Sequence, residues 1–216
     1  PVGDEVTFAK EDLAGNSIKG ASLVVKGKGT NEAYAWVSDG TPHTLKGKLK
    51  PGNTYLYHET AVPEGYARSA DIEFTLDESG AVKSAHYVDA DGMPVLYDKY
   101  GYTTSIKANA DGSYEQEGQK IQIDKNGNAV GKDKEIIAEG VKLEIPVAGN
   151  KVIMKDAPID VSIKKTDSKT GESLAGATLQ VIDKEGRTVA EWTTDESGIF
   201  KLEKKLTAGE TYTLRE

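Results

Sequence analysis

The chain has 216 residues, no cysteine and a formal net charge of −8. Its 37% hydrophobic and 29% charged residues are typical of a folded chain of one or two domains. The negative charge argues against nucleic acid and anionic membranes as main partners, and the lack of cysteine excludes disulfide bonds. No apolar run is long enough to span a membrane and no signal peptide opens the sequence. Both ends look cut, so we expect any targeting or anchoring signal to lie outside it.

The 23 glycines and the frequent turn dipeptides predict an all-β chain of short strands. The first predicted strand is Val-Thr-Phe-Ala-Lys-Glu-Asp, residues 6–12. Side chains alternate between the two faces of a strand, so Lys10 shares the apolar face of Val6 and Phe8. This alternation predicts that Lys10 points into the core.

The same parity applies to two later strands. After the turn at Pro51-Gly52, Glu59 shares a face with Tyr55 and Tyr57. In residues 151–156, Asp156 shares a face with the apolar Val152 and Met154, although Ile153 lies on the opposite face. We therefore expect Glu59 and Asp156 to point inward as well.

Residues 84–147 contain several turn signals, among them Asp124-Lys-Asn-Gly127 between two short apolar segments. That pattern predicts a β-hairpin, and the whole stretch is interpreted as an inserted β subdomain. The insertion is rich in tyrosine, which suits either a binding interface or packing of the insertion on the rest of the domain. These tyrosines are Tyr87, Tyr97, Tyr100, Tyr102 and Tyr114.

An internal repeat sets the domain organisation. Residues 161–167, Val-Ser-Ile-Lys-Lys-Thr-Asp, repeat the first strand, and Thr-Tyr-Thr-Leu-Arg-Glu at the end of the chain repeats the strand that carries Glu59. The repeat predicts a first domain at 4–157, with its insertion at about 84–147, and a second, C-terminally incomplete domain at 159–216. Lys165 and Glu216 are the equivalents of Lys10 and Glu59, and we expect them to be unlinked in this chain because no acceptor strand follows.

Ordinary explanations compete with a buried site. A lysine at the end of a strand commonly extends its ammonium to water, and a glutamate there commonly faces a loop. Burying an isolated charge costs several kcal/mol, so two domains that both place lysine and glutamate on inward positions argue for a specific role.

No metal or cofactor site is predicted. Two acidic clusters lack the full pattern of a calcium loop and are better explained as hairpin turns, and the histidines lack the spacing of a metal site. The clusters are Asp89 with Asp91, and Asp124 with Asn126 and Asn128; the histidines are His43, His58 and His86.

The sequence resembles the collagen-adhesin B-type (Cna-B) domains, SpaA-like pilin domains of Gram-positive surface proteins. The resemblance rests on the Lys10 strand, on Trp36-Val-Ser-Asp-Gly40, on Glu59-Thr-Ala-Val-Pro-Glu-Gly-Tyr66 and on the closing Val152-Ile-Met-Lys-Asp-Ala157. It covers residues 4–83, 151–157 and 160–216. The family implies a transthyretin-like or immunoglobulin-like β-sandwich.

The resemblance also implies a role for each inward residue. Lys10 is expected to form an amide bond with Asp156, and Glu59 is expected to shuttle the protons; Asn150 is a less favoured acceptor. Burial favours the neutral amine, which is the form that attacks, and folding holds the groups together. The reaction occurs once per molecule, so the chain is not expected to be an enzyme.

The resulting functional hypothesis is a structural subunit of a pilus or adhesin stalk on a Gram-positive cell wall. Its partners are expected to be neighbouring domains or subunits of the same surface protein or pilus. The main alternative is an adhesin module whose insertion binds a host extracellular protein or glycan. A third interpretation, an accessory domain of a secreted hydrolase, requires a catalytic module outside this sequence.

Overall fold

The computed structural model describes residues 5–216, and nearly all of its regular structure is β. In this range no helix is long and apolar enough to cross a bilayer. The start of the first domain, placed at residue 4 by the sequence, lies outside the described residues. The contacts divide the described chain into unit 1, residues 5–62 and 68–157, and unit 2, residues 63–67 and 158–216.

The first sheet of unit 1 has the first strand of the chain at its centre. Strand β1 lies between an antiparallel neighbour and a parallel neighbour that comes more than a hundred residues later. The three strands are β1 (Glu5–Asp12), β4 (His43–Lys46) and β15 (Lys151–Pro158).

The second sheet of unit 1 has eleven strands in the order β14-β13-β12-β11-β10-β9-β8-β7-β5-β2-β3. The inward side chains of its β2, β5, β7 and β8 meet those of β1 and β15 in one core that includes Phe8, Tyr57, Phe74 and Met154. The predicted all-β sandwich is confirmed. The strands are β2 (Lys19–Gly27), β3 (Ala33–Asp39), β5 (Thr54–Ala61), β7 (Asp71–Leu76), β8 (Val82–Val88), β9 (Pro94–Tyr97), β10 (Thr103–Ala108), β11 (Tyr114–Gln116), β12 (Gln119–Ile123), β13 (Ala129–Val130) and β14 (Ile136–Ala138).

The insertion continues this sheet as a run of antiparallel hairpins from β8 to β14. The predicted hairpin is present, because β12 pairs with β13 across Asp124–Gly127. A separate small core of Leu96, Ile106, Ile121 and Ala129 lies under these hairpins. A short 3₁₀ helix (Ala148–Asn150) then leads into β15.

Unit 2 has two small sheets, β16 with β19, and β18-β17-β20. Its core is formed by Leu179, Val181, Trp192 and Leu202. By its contacts the short β6 (Tyr66–Ala67) belongs to this unit. The remaining strands are β16 (Asp160–Lys164), β17 (Thr178–Ile182), β18 (Thr188–Thr193), β19 (Ile199–Glu203) and β20 (Thr213–Arg215).

The strand registers of the two units agree with the sequence repeat. Val161 pairs with Leu202 in unit 2 as Val6 pairs with Leu45 in unit 1. The β17–β20 register likewise repeats that of β2–β5. The repeat therefore extends to the backbone pairing of the early strands.

Candidate functional site

Three strands of unit 1 bring Lys10, Glu59 and Asp156 together. In the parallel β1–β15 ladder, Lys10 is opposite Met154 and Asp12 is opposite Asp156. Lys10 and Asp156 are thus diagonal neighbours on one face of the first sheet. Glu59 comes from β5 in the second sheet. The site therefore lies between the two layers of the sandwich.

The lysine ammonium contacts both carboxylates. Nζ of Lys10 is an ion-pair partner of Asp156 Oδ1 and lies 3.3 Å from Glu59 Oε2. Lys10 is 5% exposed, and Glu59 and Asp156 are fully buried. All three lie inside, as the alternation of their strands predicts. One cation between two carboxylates, out of water, leaves an excess negative charge that a proton can relieve.

Hydrogen bonds to the two carboxylates are few. The backbone N–H of Ser69 donates to Asp156 Oδ1 at 3.2 Å. Among residues 5–216, no well-aligned donor reaches Asp156 Oδ2 or either oxygen of Glu59. The charged forms of these carboxyl groups are therefore poorly stabilised by hydrogen bonding.

Burial raises the pKa of Glu59 to about 7. The nearby Lys10 ammonium opposes this rise in pKa, whereas the negative charge of the Asp156 carboxylate adds to it. A carboxyl group with a pKa near 7 can both accept and release a proton at neutral pH. This property suits a group that relays protons between two neighbours.

Aromatic and apolar side chains pack around the site. Tyr57 is fully buried, and its hydroxyl donates to the Ala9 carbonyl at 3.1 Å. The rings of Phe8 and Tyr57 are in edge contact, with centroids 5.1 Å apart. Burial, together with the charges of Glu59 and Asp156, raises the pKa of Tyr57 so that it stays neutral. These side chains bury the face on which the three groups meet.

Asn150, the alternative acceptor predicted from the sequence, has other partners. Its Oδ1 accepts from the N–H of Val82 and its Nδ2 donates to the carbonyl of Glu5, both at 2.6 Å. Glu5 is at the far end of β1, about 16 Å along the strand from Lys10. Of the two acceptors predicted from the sequence, Asp156 is the one that Lys10 contacts.

The equivalent pair in unit 2 is more open. Lys165 Nζ lies 2.9 Å from Glu216 Oε2, and the two side chains are 28% and 56% exposed. Val161, whose equivalent Val6 is buried, is 37% exposed. The pair in unit 2 is therefore exposed to solvent, which screens its attraction, whereas the site in unit 1 is buried.

The remaining polar candidates do not converge on one site. Asp89 Oδ1 and Asp124 Oδ1 each accept two backbone N–H groups within their own hairpin turns. Within residues 5–216 no group of three His, Asp or Glu side chains is placed to hold a metal. The three histidines have separate contacts: His43 stacks on Trp36, His58 pairs with Asp71, and His86 lies near Glu73.

The sequence interpretation missed Ser69. Its contact with Asp156 is made by the main chain, and its side-chain hydroxyl donates to the Ala70 carbonyl at 2.9 Å. Main-chain donors leave no residue preference in a sequence, so only the folded chain reveals this contact.

A family comparison accounts for both units. The family described as "SpaA: Prealbumin-like fold domain" matches residues 4–91 and 159–216. The chain belongs to this SpaA family. The matched segments of the SpaA domain include Lys10 and Glu59 in unit 1 and their equivalents in unit 2, whereas Asp156 lies outside them. No curated protein is similar enough in sequence to count as a match.

Solved structures with distant similarity include two pilus proteins of Lactobacillus rhamnosus GG. The shaft pilin SpaA is 16% identical over 98% of this chain and 86% of its own, with a TM-score of 0.34. The C-terminal fragment of the pilus adhesin SpaC is 16% identical over 98% of this chain and 74% of its own, with a TM-score of 0.36. The Bacillus anthracis TIE protein is 19% identical over 98% of this chain and 45% of its own, with a TM-score of 0.26. These sequence identities and TM-scores are too low to support an argument about function.

Proposed function

We propose that this chain is a structural part of a pilus or adhesin stalk on a Gram-positive cell surface, and that unit 1 is stabilised by an amide bond between Lys10 and Asp156. The observation that carries the proposal is the contact of Lys10 Nζ with two fully buried carboxylates. Membership of the SpaA family supports the surface role. In this proposal the partners are neighbouring domains or subunits of the same surface structure.

The bond forms by condensation. The neutral amine of Lys10 attacks Cγ of Asp156, whose carboxyl group carries a proton. Glu59 takes one proton from the attacking nitrogen and returns it to the leaving hydroxyl, so that one water is released and Glu59 ends as it began. The reaction removes the buried ammonium and the buried Asp156 carboxyl group together.

The reaction is accelerated because the fold holds the two reacting groups next to each other. The β1–β15 register holds the amine against the carboxyl group, and effective molarities in such arrangements can offset about 7–11 kcal/mol of a barrier. The product stays attached to the chain, so each molecule reacts once and the chain is not an enzyme.

The bond has a mechanical consequence. Because β1 and β15 are parallel neighbours, the chain enters at one end of this strand pair and leaves at the other. Tension between these ends passes through the proposed bond, and the chain between Lys10 and Asp156 carries no load. This arrangement suits a stalk that is pulled by its two ends.

The test is the intact mass of the denatured chain. We expect the wild-type chain to be lighter than its composition by one water, and Lys10→Ala and Asp156→Ala each to have the mass of their composition. Lys165→Ala is the matched control, since it removes the equivalent lysine of unit 2 and should keep the one-water deficit. A wild-type mass equal to the composition would overturn the proposal.

Ligand binding by the insertion is the second candidate function. The observation in its favour is that Tyr100 and Tyr102 are 61% and 46% exposed. In contrast, Tyr87 is 4% exposed and packs edge-on against the partly buried Tyr97. The tyrosines are thus divided between packing and surface, and the exposed pair is the part available to an external protein or glycan.

A further inference from the structure

The backbone N–H of Ser69 distinguishes the two oxygens of the Asp156 carboxyl group. It donates to Oδ1 at 3.2 Å, and Oδ1 is also the oxygen that Lys10 Nζ contacts. Oδ2 is buried and has no hydrogen-bond donor among residues 5–216. In the Asp156 carboxyl group, Oδ1 is therefore held by a main-chain hydrogen bond, whereas Oδ2 accepts no hydrogen bond from residues 5–216.

We propose that the Ser69 N–H is the oxyanion donor for amide formation in unit 1. This inference rests on the proposed Lys10–Asp156 bond and adds a catalytic group to it. When Nζ attacks Cγ, negative charge develops on the oxygen that will become the amide carbonyl. A fixed N–H aimed at that oxygen in a buried site stabilises the charge more than it stabilises the starting acid.

The two oxygens of Asp156 have different fates in this reaction. Oδ1 keeps its hydrogen bond to Ser69, carries the charge in the tetrahedral intermediate and becomes the carbonyl oxygen of the amide. Oδ2 carries the hydroxyl proton, receives the second proton through Glu59 and leaves as water. One C–N bond forms, one C–O bond breaks, and the amine proton lost from nitrogen is the one gained by the leaving oxygen.

The position of Ser69 explains how an irregular segment can serve the site. Ser69 lies between β6 and β7, in a connection that approaches the end of β15. Its side-chain hydroxyl donates to the Ala70 carbonyl and not to Asp156. The inference therefore concerns the main-chain N–H, and the residue type at position 69 should matter little as long as that N–H is present.

The test replaces the N–H and keeps the side chain constant. Residue 69 is changed to alanine in one protein and to its α-hydroxy analogue, lactic acid, in the other, so the pair differs only in an amide N–H against an ester oxygen. Each full-length chain is kept in denaturant from purification, refolded by dilution, and sampled over time by intact mass. The return of fluorescence from the two tryptophans, Trp36 in unit 1 and Trp192 in unit 2, reports folding separately from bond formation.

We expect Ser69→Ala to lose one water at the wild-type rate and the ester variant to lose it roughly 10²–10³-fold more slowly, the usual effect of removing one oxyanion donor. Ser69→Pro, which also lacks the N–H, should be slow as well. An ester variant that folds and reacts within about threefold of Ser69→Ala would overturn the inference. If the wild-type chain never loses water, the proposed bond itself fails, which is a different result.

A second measurement needs no variant. In an experimental structure of the linked wild-type chain, the amide carbonyl oxygen of residue 156 should accept the Ser69 N–H. A carbonyl oxygen turned to Glu59, with the Ser69 N–H bonded elsewhere, would also overturn the inference.

Discussion

At the scale of single residues, the distinctive group is Glu59, a fully buried acid beside a second acid and one lysine. Burial raises its pKa from 4.5 to about 7, although Lys10 opposes the change. An acid whose pKa is higher in the folded state binds more protons there than in the unfolded chain between those two values. Folding stability of the unlinked protein must then fall as the pH rises through this window.

A Lys10→Met variant isolates this effect, because it cannot form the amide and lacks the ammonium that lowers the Glu59 pKa. We expect its free energy of unfolding to be at least about 2 kcal/mol lower at pH 8 than at pH 5, at 1.36 kcal/mol per unit of pKa difference. Urea unfolding at both pH values measures it. The double variant Lys10→Met/Glu59→Gln has no Glu59 titration and should show a smaller difference. Equal stability of the single variant at both pH values would contradict the raised pKa.

At the scale of elements, the approach to β15 determines where Asp156 lies. Asn150 has a φ of 58° and its carboxamide joins the start of β8 at Val82 to the start of β1 at Glu5. One side chain thus connects the starts of β8 and β1 directly before β15 begins. Asparagine tolerates the left-handed backbone conformation better than most residues, which suits it to this position.

Asn150→Ala should remove both hydrogen bonds and place alanine at a positive φ. We expect a loss of about 1–2 kcal/mol in stability, seen as a lower thermal midpoint, while the one-water mass deficit remains. Asn150→Asp keeps the acceptor for Val82 but places a carboxylate oxygen against the Glu5 carbonyl in place of the donor, so it should also lose stability. Because an asparagine acceptor releases ammonia, a wild-type deficit of one ammonia instead of one water, lost in a folded Asn150→Ala protein, would instead point to Asn150 as the acceptor.

At the scale of the whole molecule, the two units should respond differently to force. The proposed bond closes a loop of more than a hundred residues in unit 1, and chain entropy alone makes such a link worth roughly 5 kcal/mol by analogy with a disulfide. Unit 2 has the more open Lys165–Glu216 pair, for which we propose no link. The proposed domains, 4–157 and 159–216, would then differ in mechanical strength.

Pulling single molecules by their ends tests this difference. In the wild-type chain the residues between Lys10 and Asp156 should not extend. In Lys10→Ala they should add roughly 500 Å of contour length at up to 3.6 Å per residue. The shorter extension of unit 2 should appear in both proteins and is the internal control. A wild-type chain that releases the longer segment has no load-bearing bond in unit 1.

The sequence by itself determined the strands and the direction of their key side chains. Side chains alternate between the two faces of a strand, and the apolar face of each strand must be buried. These two facts predict that Lys10, Glu59 and Asp156 point inward, because each shares a face with apolar neighbours. The hairpin at residues 124–127 was predicted from its turn residues, and the early strands of unit 2 from the sequence repeat. Both signals lie within short segments of the chain.

The tertiary structure alone decided which strands are neighbours. The parallel pairing of β1 with β15, the joining of the insertion to the second sheet and the approach of the Ser69 N–H to Asp156 are all long-range. The alternation along a strand indicates which side chains point inward but not which strand lies next to it. A hydrogen bond donated by the main chain does not depend on the residue type. These contacts follow from how the two sheets close over a shared core, which depends on the whole of unit 1.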